Sequence, residues 1–322
     1  MLTIFTIAAC NNTSQEESVS ENPIPEVTSS DDEDVTITVE GGDLKGSLRI
    51  PEGDGPFPCV LILAGSGPTD RNCNSPMGLK SDAYKMLADS LEQCGIASLR
   101  YDKRGIGESA FEGAKEADLR FDQLVDDAGL AIEMLRTNDK ISKIWVLGHS
   151  EGSLVGMIAC QRNEVDGFIS LAGPAQNAGD LLYEQIAKQS QELADLAKPK
   201  FDSLRMGMTV AIGDPQLLTL LRSSVQPYMM SWFAYTPTEE IAKLEIPIMM
   251  IQGSTDFQVE TKEFEQLVLA QTKSTNILVP GMNHVMKDAP ADQAGNLATY
   301  ADPSLPLSQG WIPDLCEFVK SN

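Results

Sequence analysis

The sequence predicts an α/β fold, a mostly parallel, doubly wound sheet of eight strands with a helical cap inserted after the sixth. Three observations carry this. Apolar runs of strand length alternate with helical stretches; the pentapeptide Gly148-His149-Ser150-Glu151-Gly152 follows one such run directly; and about seventy residues separate the strand ending near Ala172 from the next at Ile246. The alternation is the mark of parallel strands joined by helical crossovers. In order the strands are Val35–Glu40, Leu44–Pro51, Cys59–Ala64, Ile96–Tyr101, Lys143–Leu147, Gly167–Ala172, Ile246–Gln252 and Thr275–Val279. Gly41-Gly42-Asp43 joins the first two as an antiparallel hairpin. The seventy-residue interval far exceeds an ordinary crossover, so residues 174 to 240 are read as a helical cap. Leu182, Ile186, Leu193 and Leu196 recur there at helical spacing, and Leu217, Leu218, Leu220 and Leu221 mark a second helix. Met206, Met208, Met229, Met230, Trp232 and Phe233 are adaptable apolar side chains suited either to lining an acyl pocket or to gluing cap to core.

A serine flanked at two residues on either side by glycine fits a sharp turn between strand and helix, with Oγ lifted above the sheet. Isolated, the pattern is weak, but Lys143–Leu147 before it reads as a central strand and Ser153–Ala159 after it as a small-residue helix. A serine hydroxyl needs a base within hydrogen-bond reach and an acid to orient that base. The chain has two histidines. His149 belongs to the turn itself and points away from Oγ, which leaves His284 in Pro280-Gly-Met-Asn-His as the base. Turns of this kind carry their partners in the order Ser, Asp, His. Asp256, in the loop after the strand Ile246–Gln252, is the expected acid; Asp288 follows the histidine and Glu260 begins the next helix, which makes them weaker choices.

A tetrahedral intermediate requires donors for its oxyanion: the N–H after the nucleophile and one from the loop after the third strand. Those are Glu151 and, in Ala64-Gly-Ser-Gly-Pro68, Ser66, with Gly67 as the alternative. A phosphate cradle is disfavoured because no GxxxxGK[ST] follows and Pro68 removes a donor.

Four segments together resemble the EstD-like bacterial carboxylesterases of the α/β-hydrolase superfamily. They are Gly65-Ser-Gly-Pro-Thr-Asp-Arg-Asn72, Tyr101-Asp-Lys-Arg-Gly-Ile-Gly-Glu-Ser109, Gly148–Gly152, and the stretch from Trp232 through Asp256-Phe-Gln-Val to His284, covering the chain from about residue 35 onward. The resemblance implies hydrolysis of short acyl esters by Ser150, Asp256 and His284 without a metal or organic cofactor. Some relatives carry an extra N-terminal domain with no expected counterpart here, so any preference it contributes does not carry over.

At 322 residues and 42% hydrophobic content the chain suits one catalytic domain, expected over 35–322, behind a leader. Leu2–Ala9 is apolar, and Ile7-Ala8-Ala9-Cys10 fits a lipoprotein cleavage pattern with Cys10 lipidated. The positive start of a full signal is lacking, the first basic residue being Lys45. Residues 11 to 34 hold eight acidic and no basic side chains, the composition of a disordered tether. Residues 1–34 are thus read as a lipoprotein-type signal and acidic tether of an exported protein anchored at the periplasmic or outer cell surface. A net charge of −23 argues against nucleic acid and polyanionic partners. Cys59, Cys94 and Cys160 are read as buried thiols, and a Cys59–Cys73 bridge is open to an oxidising compartment. No CxxC or Cys/His metal spacing occurs. In Tyr101-Asp-Lys-Arg104, Asp102 and Arg104 are read as fixing the loop after the fourth strand.

The leading expectation is a serine carboxylesterase acting on a small-molecule ester through an acyl-enzyme. A peptidase or thioesterase of the same fold is the alternative, and a non-catalytic binding module a more distant one because all three triad residues are kept. Dehalogenase and epoxide hydrolase chemistry would require a carboxylate where Ser150 stands.

Overall fold

A computed structural model of the chain describes residues 31–109 and 111–322. Of the expected leader, residues 1–30 with Cys10 lie outside the described residues; its last residues are not a tether, because Asp32 pairs with Arg49 and Arg100 and Glu33 and Asp34 already belong to the first strand. Five parallel strands build the centre and far half of the main sheet: β3 (Phe57–Leu63), β7 (Ile141–His149), β8 (Gly167–Leu171), β9 (Ile248–Gly253) and β10 (Thr275–Val279), with β6 (Ala97–Tyr101) parallel to β3 on its other side. A hairpin of β1 (Glu33–Val39) and β2 (Gly42–Arg49) completes it, β2 running antiparallel to β6, for the order β1-β2-β6-β3-β7-β8-β9-β10. The eight expected strands are these eight. A small ribbon, β4 (Asn74–Ser75) with β5 (Leu79–Lys80), was not anticipated; the Asn74 side-chain oxygen holds its exit by accepting from the N–H groups of Ser81 and Asp82.

The pleat sends alternate residues of each strand to opposite faces. Val60 and Ile62 of β3, Trp145 and Leu147 of β7 and Ile169 and Leu171 of β8 pack beneath α1 (Ala83–Gln93) and α11 (Ile312–Ser321). Leu61, Leu63, Val146 and Phe168 meet α2 (Phe121–Arg136), α3 (Glu151–Arg162) and α9 (Thr261–Ala270) on the other face. Helix α2 turns Phe121, Leu124, Val125, Ala128, Ala131, Ile132 and Leu135 inward, the three-and-four spacing of a one-sided helix. Helix α3 is buried from Glu151 through Cys160, as befits small residues pressed between sheet and neighbours.

Between β8 and β9 lie α4 (Ala178–Ala187), α5 (Gln191–Arg205), α6 (Pro215–Leu221), α7 (Gln226–Trp232) and α8 (Pro237–Ile241). They have an apolar centre of their own, including Leu182, Phe201, Leu204, Leu217, Leu221, Met229 and Phe233. Trp232 stacks on Phe121 of α2 at 6.3 Å, and Tyr235 donates to Asp122 at 2.6 Å, which seats these helices on the core. Met229 therefore serves as internal packing, while Phe233, buried in the same cluster, also lines a cavity beside α4. Met206 and Met208, which follow the end of α5, are 67% and 49% exposed and stand outside the apolar centre of these helices.

The Cys59–Cys73 bridge does not form, and the reason is the pleat: Cys59 belongs to the apolar layer on one face of the sheet and Cys73 to the layer on the other. Cys94, read as a thiol, instead pairs with Cys316, joining the end of α1 to α11 across 222 positions of sequence. Cutting this link in a Cys94→Ala/Cys316→Ala variant is expected to lower unfolding free energy by about 2–5 kcal/mol. Denaturant unfolding with and without the pair measures it; an unchanged midpoint would show the bridge to be energetically idle.

Candidate active site

The turn at Ser150 is built by close approach of backbone. A Cβ on Gly148 would stand 2.2 Å from the Gly152 carbonyl oxygen, and one on Gly152 would stand 2.4 Å from the Leu63 carbonyl oxygen. No side chain fits at either place, so β7 and α3 meet at a distance only glycine allows. Ser150 between them takes φ 57° and ψ −123°, a strained conformation for a non-glycine residue. It is held by its own N–H, which donates to the Leu171 carbonyl at 3.0 Å, and by its carbonyl, which accepts from the Ser153 N–H at 2.9 Å. This is the strand, turn and helix anticipated for Gly148–Gly152.

Asp256 and His284 meet. Nδ1 of His284 lies 2.7 Å from Asp256 Oδ2, and both side chains are buried. The carboxylate is well supplied with donors, because Oδ1 accepts from the N–H groups of Gln258 at 2.8 Å and Val259 at 3.0 Å while Oδ2 also accepts from Gln252 Nε2 at 3.2 Å. With Nδ1–H donating to the carboxylate, the lone pair of the neutral imidazole falls on Nε2, the atom that would take a hydroxyl proton. The weaker acid choices lie elsewhere: Glu260 pairs with Lys188 at 2.6 Å, and Asp288 sits in a backbone bridge with Met282. The His284 loop is shaped by Asn283, whose side chain accepts from the N–H groups of Val285 and Lys287 and donates to Thr299 at 2.7 Å.

His149, set aside in the sequence as pointing away from Oγ, is the hub of a buried relay. Its Nε2 donates to the His284 carbonyl at 2.8 Å, its Nδ1 accepts from the Tyr84 hydroxyl at 2.7 Å, and that hydroxyl accepts from the Gly65 N–H at 3.1 Å. These roles require a neutral ring. Burial, with the His284 ring beside it, holds the His149 pKa well below the ordinary value for histidine. One chain of bonds thus joins the loop after β3, the Ser150 turn and the His284 loop.

Glu151 and Ser66, the expected oxyanion donors, flank this relay. Glu151 opens α3 immediately after Ser150, and its buried carboxylate accepts from the Tyr228 hydroxyl of α7. Ser66 lies between Gly65 and Gly67, and a Cβ on Gly65 would come 3.1 Å from Ser150 Cβ. Lys103 donates to the carbonyls of Gly65 and, at 2.9 Å, Gly67. Its neighbours behave as read from the sequence: Asp102 accepts from the N–H groups of Arg71 and Glu108, and Arg104 grips Asp127 through two nitrogens at 2.7 and 2.6 Å. Gln252, Asn283, Tyr84 and Lys103 were missed. Gln252, Asn283 and Lys103 stood in segments already singled out, without a role assigned to them; Tyr84 carries no local signal. A separate cavity of about 510 Å³, lined by Gln176, Asn177, Asp180, Arg205 and Phe233 among others, touches none of the three triad candidates. Among the described residues there is no group of three or more His, Cys, Asp or Glu arranged to hold a metal, and no helix long and apolar enough to cross a membrane.

Residues 76–287, about two thirds of the chain, match the Hydrolase_4 family, described as serine aminopeptidase, S33. The chain belongs to that family. The matched span contains Ser150, Asp256 and His284. The Hydrolase_4 chain is also similar to Esterase EstD of Thermotoga maritima, 29% identical over 258 residues, which cover 79% of this chain and 60% of that protein's length. Among solved structures it resembles Est1E from Butyrivibrio proteoclasticus (TM-score 0.57, 16% identity, 90% of this chain and 99% of that one). It likewise resembles the α/β hydrolase GrgF from Penicillium sp. sh18 (TM-score 0.58, 19% identity, 90% and 98%). The fold of this Hydrolase_4 member is that of the α/β hydrolases.

Two outcomes follow from the relay. Tyr84→Phe strands the buried Gly65 N–H and the His149 Nδ1, each lone polar group costing about 1–3 kcal/mol; the variant should melt lower and turn over more slowly. An unchanged melting temperature would show that the relay carries no load. Because the folded chain keeps His149 neutral while the unfolded chain protonates it below about pH 6.5, its contribution is fully present above that pH and is lost as pH falls. Unfolding free energy between pH 7.5 and 5.5 should therefore drop more steeply in the wild type than in His149→Gln. Equal slopes would rule out a neutral buried imidazole.

Proposed function

We propose that the chain is a serine carboxylesterase that hydrolyses short-chain carboxylic esters through an acyl-enzyme. The observation that carries this reading is the buried Asp256–His284 pair at 2.7 Å beside the strained turn of Ser150. In the proposed cycle Nε2 of His284 removes the Ser150 proton as Oγ attacks the ester carbonyl, and Asp256 orients the imidazole and stabilises its cation. The N–H groups of Glu151 and Ser66 receive the oxyanion. His284 returns the proton to the departing alcohol, and water then attacks the acyl-enzyme by the same route in reverse.

The similarity to Esterase EstD supports an ester substrate, and the chain spans about 60% of that protein's length. The family description, serine aminopeptidase, favours a second reading in which the same machinery cleaves amides. The experiment is initial rate against p-nitrophenyl esters from acetate to palmitate, beside an anilide and a thioester of the best acyl group. A maximum at short acyl chains is expected, with Ser150→Ala lower in kcat by on the order of a millionfold and still folded. Retained activity in Ser150→Ala would sink the assignment, and faster anilide cleavage would move it to a peptidase.

We also propose that the protein is exported and anchored through a lipid on Cys10. The Cys94–Cys316 bridge supports an oxidising compartment. Detergent-phase partitioning that disappears in Cys10→Ser is the expected result; a water-phase wild type would remove the anchor.

A further inference from the structure

Lys103 occupies a position that the esterase reading does not use. Its ammonium donates to the carbonyls of Gly65 and Gly67, the two residues on either side of Ser66. The loop is therefore held on both sides of Ser66 by one cation.

The geometry of the peptide gives this grip a consequence. The carbonyl of Gly65 and the N–H of Ser66 belong to one planar trans peptide, so they point in opposite directions. Whatever holds the carbonyl aims the N–H. The Gly65 backbone lies against Ser150, as shown by the 3.1 Å that would separate a Cβ there from Ser150 Cβ. Gly67 takes φ 75°, and glycine on both sides of Ser66 leaves the segment free to flip its peptides at little steric cost. A flipped Gly65–Ser66 peptide would present an oxygen to the oxyanion instead of a hydrogen. The Gly67 carbonyl belongs to the peptide preceding Pro68, which has no N–H, so holding it withdraws no donor from the site. The Tyr84 hydroxyl accepts from the Gly65 N–H at 3.1 Å and fixes the preceding peptide. Hydrogen bonding to the carbonyl also polarises the amide and makes its N–H a stronger donor.

We propose that Lys103 is a positioning residue of the oxyanion site: by holding the Gly65 and Gly67 carbonyls it keeps the Ser66 N–H turned toward Ser150. The proposal rests on the esterase reading and sharpens it. Its signature is selective for the tetrahedral state, because a donor aimed at the oxyanion binds the transition state more than the substrate.

The test uses Lys103→Met, Lys103→Gln and Lys103→Arg in the full chain, with active sites counted by a p-nitrophenyl acetate burst and folding checked by thermal melting. For Lys103→Met, kcat should fall about 10- to 100-fold with KM within roughly twofold of wild type. Ki for a trifluoromethyl ketone, which Ser150 would convert to a tetrahedral hemiketal, should rise by the same factor as kcat/KM falls. Across whichever variants fold, log Ki against log(kcat/KM) should run with a slope of magnitude near one. A Ki that stays at the wild-type value while kcat drops would overturn the positioning role, as would variants equal to wild type or a change in KM alone. Failure of the esterase reading looks different: the wild type itself would show neither Ser150-dependent turnover nor ketone inhibition.

Discussion

The rest of the site depends on the close packing of β7 against α3. Gly148 and Gly152 remove the side chains that would keep strand end and helix start apart, and Ser150 takes up the turn with a positive φ. The strain is contained because everything around it is buried and paired. Residues Glu151 to Cys160 have no exposed face, and the Ser150 N–H is tied to β8 through Leu171. A rigid sheet of six parallel strands supplies the restraint, and the chemistry-bearing loops leave it at the carboxyl ends of its strands, as open α/β sheets do.

Those loops do not hold their positions independently. Gln252 and the backbone of Gln258 and Val259 fix Asp256, Asn283 shapes the loop that presents His284, and His149 connects that loop through Tyr84 to Gly65. The relay works with neutral groups, a tyrosine hydroxyl and an uncharged imidazole, so it spans the buried centre without the desolvation that a charged pair would incur. Beside it the buried Asp256 carboxylate is supplied with donors by His284, Gln252 and two backbone N–H groups, and on the flanks Lys103, Glu151 and Arg104 meet carbonyls, a phenol and a carboxylate. The arrangement ties the geometry of the His284 loop, the Ser150 turn and the Gly65 loop to one another, so displacement of any one is transmitted through short, directional bonds.

Much of this was legible from sequence because it is local. Apolar runs such as Cys59–Ala64 and Ile246–Gln252 mark strands whose both faces are buried, the glycine spacing around Ser150 marks a turn, and two histidines leave one choice of base. What was illegible depends on contacts between distant segments. Cys59 and Cys73 are close in sequence but the pleat and the loop place them on opposite faces, whereas Cys94 and Cys316 have nothing in common until α1 and α11 lie side by side. Tyr84 looks like one more apolar residue of an amphipathic helix, and its hydroxyl acquires a purpose only when β3 and β7 bring Gly65 and His149 to it. Met206 and Met208 share the composition of pocket residues, but the direction in which α5 ends decides their surroundings.

The bridge between Cys94 and Cys316 closes a covalent ring that contains Ser150, Asp256, His284 and all of the helices between β8 and β9. A protease that nicks the outer turn around Met206 and Met208 would open that ring without separating the pieces. The nicked molecule stays a single species until the Cys94–Cys316 disulfide is reduced, and the segment carrying Ser150 stays joined to the segment carrying Asp256 and His284. The exposed turn after α5 can thus be cut while Ser150, Asp256 and His284 remain on one connected molecule.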